Sequence, residues 1–263
     1  MVRYAQIVVG PAGAGKTTYC RRMQQHCAAL KRVAHVVNLD PACAQRSRHG
    51  PPTVDIRDLI SLKDVMQELC YGPNGGLVFC MEYLAQNLDW LRDALDGCGS
   101  GEDDYFFFDC PGQIELYSHL ASMRTVVDAL RNRWGFQMVG VYCIDAVCID
   151  DPAKKIAGSM MALSAMFQLA LPHINVMTKC DIVVRASGID VGAGGEEEQH
   201  LAGSAVPPQR NHAAPGVCPR LNAAICSLLE DYNLVRFVPL DISREESVNR
   251  VLLQVDSALC FGL

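Results

Sequence analysis

The sequence is poor in several features that would each announce a function. It has no run of Lys and Arg. Its densest basic stretch is Gln45-Arg46-Ser47-Arg48-His49, and its formal charge is −6. A nucleic-acid footprint needs clustered cations facing the phosphates, so no direct nucleic-acid partner is expected. No apolar run reaches the roughly 20 residues that cross a bilayer. The longest helical candidate, Ser159 to Leu171, falls short, and Tyr4 to Val9 runs into a glycine-rich loop with no cleavage site behind it. A soluble intracellular chain without a membrane partner is therefore expected. Cysteine itself is plentiful, at 13, but there is no C-x-x-C pair and no regular spacing. That argues against a zinc site or a disulfide framework, and for small apolar core thiols in a reducing compartment.

What the sequence does have is alternation. Strand candidates at Ala5–Val9, Val33–Leu39, Tyr105–Phe108, Phe136–Ile144, Ile174–Met177 and Val235–Pro239 are separated by helix candidates. The helices are expected at Gly15–Leu30, Ser61–Cys70 with a serine cap, Gln113–Trp134, Pro152–Leu171, Leu221–Tyr232 and Glu245–Leu259. Continuous apolar strands between helices predict an α/β fold, with a mainly parallel sheet covered on both faces. The 263 residues are read as a single domain. Residues 46–94 form a largely helical insertion, and residues 184–216, rich in Gly, Glu and Pro, form a long, partly disordered loop.

The first chemical motif is Gly10-Pro11-Ala12-Gly13-Ala14-Gly15-Lys16-Thr17. It fits G-x-x-x-x-G-K-[ST] between an apolar strand and a helix. Small residues let successive backbone N–H groups, Gly13 through Thr18, wrap a phosphate at a helix N-terminus. Lys16 would reach the β- and γ-phosphates, and the Thr17 hydroxyl would ligate Mg²⁺. Such a loop marks a P-loop nucleotide hydrolase or transferase and is silent about the base.

Asp109-Cys110-Pro111-Gly112-Gln113 follows Tyr105-Phe106-Phe107-Phe108. Alone, D-x-x-G is a common strand-ending turn. Downstream of a P-loop, Asp109 suits the Mg²⁺ side of the site, the Gly112 N–H suits the γ-phosphate, and Gln113 suits a water-orienting role. Thr178-Lys179-Cys180-Asp181 also ends an apolar strand. An Asp181 carboxylate accepts from both N–H donors on the edge of guanine, which adenine lacks, while the Lys179 stem lies along the base. Thr178 stands where many GTPases have Asn. Asn38-Leu39-Asp40-Pro41-Ala42 ends the second strand. It reads as an Asp-Pro turn, or as a loop whose Asp40 acts on Mg²⁺ through water or on the attacking water. Gly72-Pro73-Asn74-Gly75-Gly76 reads, on its own, as a turn.

Together these residues resemble the GPN-loop GTPases over nearly the whole chain. The likeness includes Tyr4-Ala5-Gln6, Asn38 to Ala42, Gly72 to Leu77, Asp109 to Glu115 and Thr178-Lys179-x-Asp181. Arg3 to Gln6 and Thr18-Tyr19-Cys20 are most similar to the third eukaryotic branch of that family. The resemblance implies GTP/GDP and Mg²⁺ as ligands, and a nucleotide-dependent dimer with itself or with a paralogue. It implies that Asn74 reaches the partner's phosphates as a catalytic residue beside Asp40 and Gln113. It further implies a role in assembly and nuclear import of RNA polymerase II through its subunits, and a cytoplasmic protein that shuttles to the nucleus. Two other readings stand beside this one. A P-loop small-molecule kinase would leave Gln113 and Asp181 unemployed and would want an Arg-rich lid. A GTP-binding scaffold with negligible turnover would not need the intact Lys16, Thr17, Asp109 and Gln113. Pro239-Leu240-Asp241, which would lie near the base, carries no sharp motif.

Overall fold

The computed structural model describes residues 3–43, 50–98, 104–113, 115–118, 121–148, 152–182 and 235–261. The expected 184–216 loop and the Leu221–Tyr232 helix lie outside these residues. The core is a 7-stranded sheet in the order β3-β2-β4-β1-β5-β6-β7. Its strands are β1 (Arg3–Val9), β2 (Ala34–Asn38), β3 (Val54–Asp55), β4 (Tyr105–Asp109), β5 (Phe136–Asp145), β6 (His173–Thr178) and β7 (Phe237–Pro239). Every pairing is parallel. All carboxyl ends therefore lie along one edge of the sheet, where doubly wound folds bind ligands.

The strands are apolar on both sides because both faces are covered. On one face, Ala5, Ile7 and Val9 of β1 and Phe106 and Phe108 of β4 pack with buried side chains of helices, chiefly the four longest on that side. These are α3 (Pro73–Gln86), α4 (Leu88–Asp96), α6 (Ala121–Asp128) and α7 (Pro152–Leu169). On the other face, Tyr4, Val8, Tyr105 and Phe107 pack with α1 (Lys16–Ala29) and α8 (Glu245–Leu259). One polar chain crosses that second face. The Tyr19 hydroxyl donates to Gln6 Oε1 at 2.7 Å, and Gln6 Nε2 donates to the Tyr105 hydroxyl at 2.8 Å. The described cysteines are free thiols, and Cys20, Cys27, Cys80, Cys110 and Cys143 are buried as small core residues. Among the described residues no helix is long and apolar enough to cross a membrane.

Three expectations need correction. Gly72–Gly76 is not a free-standing turn: Gly72 is the N-cap of α3, with Pro73 at its first position. Proline suits that position because its missing N–H would have no helical partner there. A Cβ on Gly76 would lie 2.7 Å from Leu62 Cδ1, so the second glycine lets α2 (Leu62–Glu68) pack close against α3. The helix expected over Gln113–Trp134 is helical where described, in α5 (Glu115–Ser118) and α6, but its end is a π-helical turn at Ala129–Arg133. Trp134 N–H bonds back to the Ala129 carbonyl at 3.1 Å, five residues away, which shifts the helical register by one residue. Ser61 holds the N-cap position of α2, but its side chain makes no capping hydrogen bond. The short strand β3 at the sheet edge was not expected.

Candidate active site

The loops after the parallel strands meet at the carboxyl edge. The loop after β1 is the P-loop. Gly13 and Gly15 take φ of 78° and 85°, turning successive N–H groups the same way before α1 begins. Lys16 is buried, and its Nζ donates to the carbonyls of Gly10 and Pro11 at 3.0 and 3.1 Å. Thr18 is exposed on the first turn of α1.

The loop after β4 lies directly on the P-loop. A Cβ on Gly112 would sit 2.8 Å from Ala12 Cα, so only glycine allows this approach. Asp109, at the end of β4, is 3% exposed. Burial raises its pKa to about 6, opposed by a hydrogen bond from the Thr17 side chain and the charge of Lys16, and reinforced by Asp40. Its Oδ1 is buried without a hydrogen-bond partner. An orphaned carboxylate oxygen beside Thr17 suits a Mg²⁺ shell. Among the described residues no three His, Cys, Asp or Glu side chains gather into an all-protein cage. A Mg²⁺ shared with substrate phosphates uses only one or two carboxylates, so the donor set fits.

Asp40 follows β2. Burial raises its pKa, opposed by the Ala42 N–H and then by the charges of Lys16 and Arg57. The sheet thus brings Lys16, Thr17, Asp40 and Asp109 together from three segments. Gln113 completes the loop after β4, and its Nε2 donates to Asn74 Oδ1 of the same chain at 2.7 Å. Asn74 lies exposed on the first turn of α3, so the Gly-Pro-Asn segment flanks this chain's own loop after β4.

The loop after β6 holds the base-reading candidates. Thr178 is buried, and its hydroxyl lies 2.6 Å from the Ala14 carbonyl and 3.0 Å from that of Ile144. A hydroxyl has one proton, and the shorter contact ties this loop to the P-loop. Lys179, at φ 60°, pairs through Nζ with Asp145 Oδ2 at 2.5 Å. Asp181 Oδ1 is buried with no partner, an open acceptor of the kind guanine's ring N–H and exocyclic amine would fill. Asp145 went unnoticed in the sequence. It ends β5 as Asp109 ends β4, so a carboxylate closing an apolar parallel strand was the available signal. After β7, the Asp241 N–H is held by the Ser247 hydroxyl at 3.0 Å.

A phosphate loop, a metal-side Asp–Thr pair and a base-side acceptor on one edge of a parallel sheet define a P-loop nucleotide-binding protein. A family model described as a conserved hypothetical ATP binding protein matches residues 8–261. GPN-loop GTPase 3 of Dictyostelium discoideum is 46% identical over 262 residues, spanning 100% of this chain and 89% of the relative. The proteins of that name from Danio rerio and Xenopus tropicalis are 45% and 44% identical, each spanning 100% of this chain and 90% of theirs. The chain belongs to the GPN-loop GTPase family. The crystal structure of a GTPase in apo form from Pyrococcus abyssi has the same fold, with a TM-score of 0.75, 21% identity and 98% of each chain covered.

Proposed function

We propose that the chain is a Mg²⁺-dependent GTPase that works as a nucleotide switch. The observation that carries this reading is the pair of orphaned, buried carboxylate oxygens on Asp109 and Asp181. They sit where a metal-bound phosphate and a guanine edge would each supply the missing partner. The matched family model is described by ATP and the curated relatives by GTP. The chemistry of Asp181 favours guanine, because adenine offers no paired donors to a carboxylate.

In this reading the N–H groups of Gly13 to Thr18 hold the β- and γ-phosphates. Lys16 turns from its two carbonyls to them. Thr17 and Asp109 hold Mg²⁺, which when bound neutralises charge on the phosphate oxygens. Gly112 presents its N–H toward the γ-phosphate. Gln113 orients the attacking water, and the Asp40 carboxylate polarises it by accepting a hydrogen bond from its O–H. Thr178 and Lys179 support the base loop while Asp181 reads the base. A dimer, with a second copy or with a paralogue, would bring Asn74 to the partner's phosphates. Assembly and nuclear import of RNA polymerase II, with its subunits as clients and shuttling from the cytoplasm, extends the reading. That extension rests on the family resemblance alone.

The test is turnover of GTP and ATP with Mg²⁺, for the parent and for Asp181→Asn. A site built on buried polar pairing rejects the wrong base by about 10⁴. The parent should therefore prefer GTP by orders of magnitude, and the variant should lose most of that preference. Equal use of both nucleotides by the parent would overturn the assignment.

A further inference from the structure

A ring of hydrogen bonds surrounds the Asp40 turn, and neither Asp55 nor Arg57 in it has so far been given a role. Asn38, the last residue of β2, is buried. Its amide oxygen accepts from the Asp40 N–H at 3.1 Å, and its Nδ2 donates to the Asp40 carbonyl at 3.2 Å and to Asp55 Oδ1 at 2.9 Å. Both amide protons are thereby used. Asp55 is 9% exposed and accepts from the Arg57 N–H at 3.0 Å and from Arg57 Nε and Nη2 at 2.9 and 2.5 Å. The remaining guanidinium arm, Nη1, donates to the Cys43 carbonyl at 3.2 Å. The ring therefore grips the turn at its first residue through Asn38 and at its last through Arg57. Inside it, the Ala42 N–H bonds to Asp40 Oδ1 at 2.9 Å and the Cys43 N–H to the Asp40 carbonyl at 3.2 Å.

The strand β3 is two residues long, and its register sets Asp55 opposite Asn38. Its approach is tied to the P-loop helix, because Arg21 of α1 donates to the Pro51 carbonyl at 3.0 Å. A strand this short adds little to the sheet's hydrogen bonding, but it fixes where the carboxylate of the ring stands. A guanidinium suits the fourth corner, because its planar fork serves a carboxylate bidentately and still has an arm left for a carbonyl.

We propose that Asp55 and Arg57 are positioning residues for Asp40: with Asn38 they clamp the Asp40–Cys43 turn so that the Asp40 carboxylate is held toward the phosphate end of the site. This rests on the catalytic role proposed for Asp40, and the experiment separates the two. GTP turnover is measured for Arg57→Ala, Arg57→Lys, Asp40→Asn and the Asp40→Asn/Arg57→Ala pair, with backbone hydrogen exchange at Ala42 and Cys43 for each. Displacing a group by about 1 Å costs up to about 10²-fold in rate. Arg57→Ala should accordingly lower kcat by about 10- to 100-fold with KM and GDP affinity little changed, and should speed amide exchange at Ala42 and Cys43. Arg57→Lys, which keeps the charge and one contact, should fall between. Added to Asp40→Asn, the Arg57 change should cost nothing further, because residues acting through one group are not additive. Parent-rate turnover by Arg57→Ala, its full loss repeated on top of Asp40→Asn, or unchanged exchange would each overturn the clamp. If Asp40→Asn itself turns over at the parent rate, the role of Asp40 fails, and the exchange at Ala42 and Cys43 alone decides whether the clamp exists.

Discussion

Gln113 donates its side-chain N–H to Asn74 Oδ1 across 2.7 Å, joining the loop after β4 to the first turn of α3 within one chain. The bond occupies the oxygen of Asn74, an exposed residue, and does not use its Nδ2 protons. That leaves Asn74 with the kind of donor the proposed phosphoryl transfer would use as charge moves onto the leaving group.

Asn74→Ala should lower GTP turnover by about 10²-fold, the usual cost of one transition-state donor, with GDP affinity nearly unchanged. Mixing it with a Lys16→Ala subunit tests whether the donor acts across a dimer. One site then pairs an intact P-loop with an intact Asn74, and activity should partly return. Single-turnover kinetics on dimers shown to have exchanged subunits decides this, and no recovery would confine Asn74 to its own chain.

The Asp109 carboxyl gives a pH dependence with a definite sign. Its folded pKa of about 6 lies above its ordinary value of 3.8, with burial as the main cause. Between those two values the folded chain holds a proton that the unfolded chain has released. The ligand-free fold therefore loses this contribution to stability as pH rises through that window. Mg²⁺ requires the ionised carboxylate, so its apparent affinity should run the other way. It should rise about fivefold from pH 5 to 6, reach about tenfold by pH 7 and level off above. Mg²⁺ titrations of GTP turnover across pH 5 to 8 test this, and a flat profile would remove Asp109 from the metal shell.

Gly112→Ala should abolish tight GTP binding while the sheet still forms. The new methyl carbon would lie 2.8 Å from Ala12 Cα and 3.0 Å from Ala12 N, backbone atoms that cannot rotate away. Calorimetry with GDP and a GTP analogue checks the outcome, alongside a melting curve for the fold. Parent affinity would mean that the two loops do not meet this closely.

Tyr19→Phe should act on stability. It removes the donor to Gln6 Oε1 in a fully buried position. Leaving one buried acceptor unpaired costs about 1–3 kcal/mol. Urea unfolding measures it, and a loss below about 0.5 kcal/mol would mean that Gln6 finds another partner.

Much of this site is legible in the sequence, because its parts carry local patterns. Tyr105 to Phe108 is apolar at every position, as a doubly covered strand must be, and Gly10 to Thr17 has fixed spacing. The strand β3 could not be read, since two residues cannot display a period. Gly72 to Gly76 was misread because proline and glycine serve helix starts and close helix packing as well as turns. The π-turn that ends Gln113–Trp134 is hidden for a related reason: it slips the register without changing the composition. Asp55, Arg57 and Asp145 matter through partners on other segments or at a turn, and a linear pattern does not display those.

The bond from Thr178 to the Ala14 carbonyl has a kinetic consequence. The loop proposed to read the base and the P-loop share a buried tether, 2.6 Å long. A nucleotide cannot slacken its grip at one end without loosening the other. Base and phosphates should therefore leave together in one step, and whatever pulls on the Thr178 loop from outside would act as an exchange factor for the whole nucleotide.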